Sequence, residues 1–151
     1  MRRRIKGAPA ITYIINYSPA VANGGIESGV ATTWQQYTDG TGTVADTSEA
    51  HSGSLAARCN TFGGNALLIS QDILTIGYTY NLSIWAKRTA AATSRLSIQL
   101  GSGNYFEPTL TTSWAEYVIE EVCSGDNYLR LSGDANAVVL IDDIRLYRVI
   151  P

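Results

Sequence analysis

Short β-prone segments recur along most of this 151-residue chain, separated by Gly, Asn, Asp and Ser clusters about every ten residues. The clearest segment is residues 79–87, in which Tyr80, Leu82, Ile84 and Ala86 alternate with polar side chains and Trp85. Such alternation places the two sets of side chains on opposite faces of a strand. Helix signals are nearly absent. The pattern predicts an all-β chain of about eight or nine antiparallel strands, folded as a two-sheet β-sandwich.

The last predicted strand, residues 138–147, carries two adjacent carboxylates, Asp142 and Asp143, among aliphatic residues. A buried strand holds such a pair only if the carboxylates are hydrogen-bonded, coordinated or turned outward. We therefore predict a β-bulge at these two residues, because one extra residue changes the face that later side chains occupy. The side chains predicted to face the core on either side of the bulge are Val139, Ile141, Ile144 and Leu146.

The basic residues are concentrated at the N-terminus. Four of the 11 lie within the first six residues, so the rest of the chain carries seven basic against 13 acidic groups, a net charge of −6. An acidic body argues against nucleic-acid binding, which needs a basic face. We predict an extended arm at 1–22 followed by one domain at 23–151. The candidate partner-binding side chains of the arm are Arg2, Arg3, Arg4, Lys6, Tyr13 and Tyr17. A protein partner, nucleic acid and a solvated tail are the alternatives for this arm.

Other classes of protein lack support in the sequence. No apolar run has the length of a membrane span, and residues 8–17 lack the apolar block and cleavage site of a secretory signal. Cys59 and Cys123 lie in register with apolar neighbours, which favours core positions and leaves a bridge open. The single histidine, His51, and the absence of nucleophile or phosphate-binding motifs predict that the chain is not an enzyme.

Five segments occur together in an informative order. They are residues 23–27 (Asn-Gly-Gly-Ile-Glu), 50–58, 77–87, 112–117 and 141–146. Their order and spacing resemble the jelly-roll carbohydrate-binding modules attached to xylanases and cellulases, within the galactose-binding-like superfamily. The resemblance extends over about residues 23–149. It implies a jelly-roll β-sandwich without catalytic activity.

The resemblance also implies a structural calcium ion between the N-terminal and C-terminal strands. Carried over by position, Glu27 and Asp142 would supply oxygens, with Asp143 second, and backbone carbonyls near residues 51–52 would complete the shell. Calcium binds several hard oxygen ligands, and an ion would explain why acids interrupt an aliphatic strand. The alternative is that these acids cap turns or face solvent.

A sugar site in this family lies on a concave sheet face, with aromatic rings stacked on sugars and polar side chains bonded to hydroxyls. Trp85 is the best candidate here, because alternation places it with polar side chains. The residues expected to share its face or to form a wall beside it are Arg58, Gln99, Tyr105, Tyr128 and Arg130. Alternatively, the arm or a loop shields Trp85 and the other residues form a solvated face. Trp34 and Trp114 are predicted to pack at junctions between loops and strands.

Such modules normally accompany a catalytic domain and a secretion signal, and the sequence shows neither. We therefore predict a virion protein made in the host cytoplasm, a capsid decoration protein of a bacteriophage. Its arm would bind a capsid or other virion protein, and its sandwich would adhere to polysaccharide, with trimers or an array as oligomeric forms. The alternatives are an extracellular polysaccharide-binding module of a glycoside hydrolase system and a structural cement protein without sugar binding. No membrane partner is expected.

Overall fold

The computed structural model describes residues 24–30, 34–70, 73–89, 94–134 and 136–149. The elements defined in these ranges are ten strands, where the sequence predicted eight or nine. They are β1 (Gln35–Thr38), β2 (Thr43–Thr47), β3 (Ala56–Asn60), β4 (Ala66–Ser70), β5 (Thr79–Arg88), β6 (Leu96–Leu100), β7 (Tyr105–Phe106), β8 (Ala115–Val122), β9 (Leu129–Gly133) and β10 (Val138–Arg148). The predicted arm, with its six candidate side chains, lies outside the described residues. Among the described residues, no helix has the length and apolar character of a membrane span.

The strands form two antiparallel five-stranded sheets. Sheet A has the order β2-β3-β10-β5-β8, and sheet B has the order β1-β4-β9-β6-β7. Neighbours in each sheet are mostly distant in sequence, which is typical of a jelly roll. The predicted two-sheet antiparallel sandwich is confirmed.

One continuous core fills the space between the sheets. Leu82 and Ile84 of β5, on sheet A, belong to the same cluster as Ile98 of β6 and Leu131 of β9, on sheet B. Full burial of each such side chain stabilises the fold by about 1.5–3 kcal/mol. The predicted alternation of β5 is confirmed, because Tyr80, Leu82, Ile84 and Ala86 are all buried in the core.

The cysteines and Trp34 occupy the core as predicted. Trp34 is 3% exposed, and Cys59 and Cys123 are buried and free, so the two cysteines do not form a bridge. Burial raises the pKa of the Cys59 thiol to about 12. Trp114 is half-buried and contacts a neighbouring loop, as described below.

The predicted bulge is present in β10. The pairing of β10 with β5 shifts register between Asp142 and Arg145, and Asp143 has a φ of 45°. Val139 and Ile141 reach the core before the shift, and Ile144 and Leu146 reach it afterwards. The bulge thus lets apolar side chains from both halves of the strand face the core, while the two carboxylates point away from it.

Candidate functional site

Asp142 fastens the loop between β2 and β3, residues 48–55, to the bulge. Its Oδ2 accepts the backbone N–H of His51 at 2.9 Å and of Ser52 at 3.1 Å, and its Oδ1 accepts the N–H of Asp143 at 2.7 Å. The residue is fully buried. Burial raises the pKa of Asp142, and the three N–H donors act in the opposite direction. A buried carboxylate is tolerable here because both of its oxygens have partners.

Asp143 holds side chains of the same loop. Its Oδ2 accepts the hydroxyl of Ser52 at 2.8 Å and lies 2.7 Å from His51 Nδ1. Burial alone would raise the pKa of Asp143. The hydrogen bonds from His51 and Ser52 and the positive charge of Arg145 lower the pKa on balance. Asp142 therefore binds backbone N–H groups, whereas Asp143 binds side chains of the loop.

Glu27 fixes the end of this loop. Its carboxylate accepts the backbone N–H of Ser54 with both oxygens at 2.9 Å, and that of Leu55 at 3.2 Å. Gly53 has a φ of +64°, and a Cβ at this position would lie 2.2 Å from Glu27 Oε1. A side chain at position 53 would be strained by this φ and would displace the Glu27 carboxylate, so glycine suits the position.

The structure brings together only part of the predicted calcium donor set. In the described residues, the metal-ligating atoms of His51, Asp142 and Asp143 lie within 4.8 Å of one another. Glu27 is outside this group, and both of its carboxylate oxygens accept backbone N–H groups. At residues 51 and 52 the backbone presents N–H groups to Asp142, rather than the expected carbonyls. Asp142 resembles Glu27 in this respect, because both of its oxygens also accept N–H groups, and calcium binding stays a prediction.

The loop also covers Trp85. The His51 ring stacks on the indole with ring centroids 3.7 Å apart and planes 12° apart. Trp114 meets the same histidine edge-on at 5.8 Å, and Lys87 lies 5.2 Å over the Trp114 ring. Lys87 also pairs with Glu49 of the loop. One face of Trp85 is therefore occupied by the protein itself, in agreement with the alternative of a shielding loop.

The expectation that all the sugar-binding candidates share one face is wrong. Trp85 and Arg58 lie on the outer side of sheet A, since they flank β10 at Asp142 and Leu140. Of the other four candidates, Gln99, Tyr105 and Arg130 belong to sheet B, and Tyr128 directly precedes β9 of that sheet, with its ring against Arg130. Alternation identifies the side of a strand that a residue occupies, but not the sheet that the strand joins.

Directly paired residues form rows that run across the strands of sheet B. We call the outer side of this sheet face B. The aligned row runs Gln35, Ile69, Arg130, Gln99 and Tyr105. A second row, two residues further along the strands, consists of Tyr37, Leu67, Ser132 and Ser97. Because paired residues of antiparallel strands point to the same side, each row presents its side chains together.

Each row has an exposed tyrosine at one end, and the first row holds two polar side chains, Arg130 and Gln99, next to its tyrosine. Tyr105 is 64% exposed and Tyr37 is 51% exposed, whereas Arg130 and Gln99 are half-buried. The Gln99 amide donates to the carbonyl of Gly103 at 3.0 Å, which leaves its side-chain oxygen directed elsewhere.

Arg130 is held by three hydrogen bonds and one ring. Its Nη1 donates to the Gly101 carbonyl at 2.9 Å and to Asp126 Oδ1 at 3.3 Å, and its Nη2 donates to Asp126 Oδ2 at 2.8 Å. The guanidinium also lies 5.1 Å from the Tyr128 ring centroid. The hydrogen bond from Arg130 lowers the pKa of Asp126 below its ordinary value. A guanidinium has further N–H donors, so Arg130 can still donate to a ligand.

Sequence reasoning missed β1 and its contribution to face B. Gln35 and Tyr37 point outward, while Trp34 is buried and Gln36 is half-buried on the inward register. A glutamine at an inward position breaks the apolar alternation that identifies a strand. The only β-prone feature left in this segment is Tyr37, and one such residue is too weak a signal to predict an edge strand.

Comparisons with known proteins agree with this architecture. The family model described as "Carbohydrate binding domain" matches residues 18–133. No curated protein matches the chain. The CBM22-1 xylan-binding domain of Paenibacillus barcinonensis Xyn10C superposes with a TM-score of 0.57 at 18% identity, over 77% of this chain and 86% of that one. TmCBM61, solved in complex with β-1,4-galactotriose, gives 0.60 at 21% identity, over 85% and 97%.

A structure of a different kind is also similar. The enzymatically active domain of tailspike protein 4 from bacteriophage CBA120 gives a TM-score of 0.61 at 16% identity. The match covers 85% of this chain but only 21% of the tailspike chain. At these identities the likeness of all three structures concerns the fold.

We expect Asp142→Asn to destabilise the protein. The amide group would present a donor where the carboxylate accepts buried N–H groups, and an unsatisfied buried group costs about 1–3 kcal/mol. Urea unfolding measures this difference. Glu120→Gln, on exposed β8 of the same sheet, is the matched control and should shift stability by less than about 0.5 kcal/mol. Equal effects of the two variants would contradict the role given to Asp142.

If calcium binds at the aspartates, it should raise the thermal midpoint by mass action. We expect a higher midpoint in calcium than in EDTA for the natural chain, and a smaller difference for Asp143→Asn. Differential scanning calorimetry at several calcium concentrations measures both. An identical midpoint in calcium and EDTA would show that the acids act only as hydrogen-bond acceptors.

Proposed function

The chain belongs to the carbohydrate binding domain family, and on that premise we propose that it is a non-catalytic module that binds a neutral polysaccharide on face B. The observation that carries the proposal is the aligned row in which exposed Tyr105 stands beside Gln99 and the anchored Arg130. This row combines ring surface with polar groups held in fixed positions. Face A, the outer side of sheet A, is a weaker candidate because its tryptophan is covered by His51.

The chemistry of face B suits a sugar chain. Sugar rings carry apolar C–H surfaces and a rim of hydroxyls, and an aromatic side chain supplies apolar area while it keeps a polar tip. Tyr105 and Tyr37 provide such rings at two sides of the face, and Gln99, Ser97 and Ser132 provide polar groups between them. Few well-placed polar groups on a largely preformed surface are what orient a ligand.

Electrostatics favour a neutral ligand over an acidic one. In the described part of face B, the arginines are Arg130, paired with Asp126 at 2.8 Å, and Arg95, which lies 3.6 Å from Glu107. Each cation therefore has an acid beside it, and the chain outside its first six residues is acidic. A polyanionic glycan would need cations that are not already neutralised. The named ligands of the similar modules, xylan and β-1,4-galactotriose, support the same class.

We expect Tyr105→Ala and Tyr37→Ala to weaken binding of xylan or β-1,4-galactan oligosaccharides by about tenfold each, or about 1.4 kcal/mol. The reason is the loss of exposed ring surface at the two sides of face B. Isothermal titration calorimetry gives the affinities. Phe62→Ala is the matched control, since Phe62 is 44% exposed but lies in the loop between β3 and β4. Binding that survives both tyrosine substitutions but is lost in Trp85→Ala would move the site to sheet A.

A second proposal concerns the setting of the module. The similarity to part of a phage tailspike supports a virion protein, in which the arm at 1–22 binds a capsid or other virion protein and the sandwich faces outward. On a particle surface many copies would convert weak sugar binding into useful avidity. The polysaccharide-binding module of an extracellular glycoside hydrolase system and a cement protein that binds no sugar remain the alternatives.

Co-sedimentation with purified phage capsids tests this setting. We expect the full chain to sediment with the particles, and a chain in which Arg2, Arg3, Arg4 and Lys6 are replaced by alanine to sediment less, because the body is acidic. Tyr105→Ala serves as the control, since face B should not contribute to this contact. Sedimentation of neither form would exclude the virion role and leave sugar binding unaffected.

A further inference from the structure

The guanidinium of Arg130 lies among acceptors that are themselves held in place. Asp126 binds it with both carboxylate oxygens, and the same carboxylate accepts the Ser102 hydroxyl at 2.8 Å and the backbone N–H of Tyr128 at 3.1 Å. The third acceptor is the Gly101 carbonyl. Gly101 is fixed in turn, because its own N–H donates to the Tyr128 carbonyl at 2.8 Å. The guanidinium is therefore oriented by the fold, so a ligand binds it with little further loss of side-chain freedom.

These bonds occupy one end of the guanidinium. The group is planar and carries five N–H donors, two on each terminal nitrogen and one on Nε. Nη1 donates to Gly101 and to Asp126, and Nη2 donates once, to Asp126. The Nε–H and the second N–H of Nη2 lie side by side on one edge, because Nη2 is on the same side of the group as the Nε–H. The Arg130 side chain is 23% exposed, so a ligand can reach it.

We propose that this edge of Nε and Nη2, the donor edge of Arg130, binds two adjacent hydroxyl oxygens of one sugar ring and thereby selects the linkage of the polysaccharide. The inference rests on the proposed function, since it assigns a specificity-determining residue to face B. Two parallel N–H groups match a pair of oxygens held side by side in one molecule. A sugar ring with two neighbouring free hydroxyls presents such a pair.

The charge beside the donor edge favours hydroxyls over a carboxylate. Asp126 lies 2.8 Å from the same guanidinium and balances its charge. A carboxylate on the donor edge would bring a second negative charge close to Asp126, and like charges at short range repel. Hydroxyl oxygens are neutral, accept both N–H groups and keep their own hydrogens for other acceptors.

Gln99 supplies an acceptor for one of these hydrogens. It is paired directly with Arg130 across adjacent strands, so the two side chains begin about 5 Å apart. The Gln99 amide donates to the Gly103 carbonyl at 3.0 Å, which fixes the position of its side-chain oxygen. Tyr105 is paired with Gln99 on the other side and offers its ring to another sugar of the same chain. The row therefore provides two donors, one acceptor and one ring.

The linkage of a polysaccharide decides whether adjacent hydroxyls are free. Each ring within a β-1,4-linked xylose or galactose chain keeps its hydroxyls 2 and 3, which are neighbours. In a β-1,3-linked chain the linkage uses position 3, and the remaining ring hydroxyls, 2 and 4, are not neighbours. We therefore expect the β-1,4-linked chain to bind at least about tenfold more tightly, the factor that one hydrogen bond to a charged group gives.

Isothermal titration calorimetry with pairs of xylose or galactose oligosaccharides of equal length, β-1,4- and β-1,3-linked, tests the inference. Arg130→Lys keeps the charge but replaces the donor edge with one ammonium group. We expect it to weaken binding of the β-1,4 chain by about tenfold and to change binding of the β-1,3 chain little. Arg145→Lys, at an exposed position of β10 in the other sheet, is the matched control and should leave both affinities unchanged. Equal weakening of both chains by Arg130→Lys would reveal a structural role alone and overturn the inference.

Other results separate this inference from the proposed function. Equal binding of the two linkages by the natural chain would overturn the inference alone, and this measurement needs no variant to fold. Loss of binding in Tyr105→Ala with unchanged binding in Arg130→Lys would keep the sugar site on face B and overturn the role of Arg130. No binding of any of these oligosaccharides by the natural chain would overturn the proposed function and the inference with it.

Discussion

The hydrogen bonds that the carboxylates of the bulge in β10 accept fix the loop between β2 and β3 to sheet A. Asp142 lies fully buried within β10 and is stable there because three backbone N–H groups point at it. Two of those donors, His51 and Ser52, come from a loop 91 and 90 residues earlier, so the acid fixes the position of that loop. Asp143 and Glu27 then complete the attachment.

The position of this loop determines which side of the sandwich is open. With residues 48–55 fastened to β10, His51 stacks on Trp85, and the best aromatic candidate in the sequence loses one ring face. On sheet B, Tyr105 and Tyr37 remain exposed. The same fold thus offers one closed face, whose aromatic residues stabilise a loop, and one open face with aromatic residues at its margins. This difference, rather than residue type, is what favours face B.

Much of the fold could be predicted from local patterns, because burial requires them. Alternation along β5, the bulge at Asp142 and the core positions on both sides of it follow from the two-residue period of a strand and from the cost of burying a charge. The family resemblance rested on the same segments. β1 was missed because its inward Gln36 interrupts the pattern, and with it Gln35 and Tyr37 were missed.

The sequence by itself determined the all-β sandwich, the amphipathic strands and the acids that must find partners, since these follow from periodicity and the chemistry of single side chains. Only the tertiary structure decided that Trp85 and Arg58 lie on one sheet while Gln99, Arg130 and Tyr105 line up on the other. The order of strands in a sheet depends on contacts between segments far apart in the chain. Local alternation does not reveal these contacts, because a strand buries the same apolar side chains whichever of the two sheets it joins.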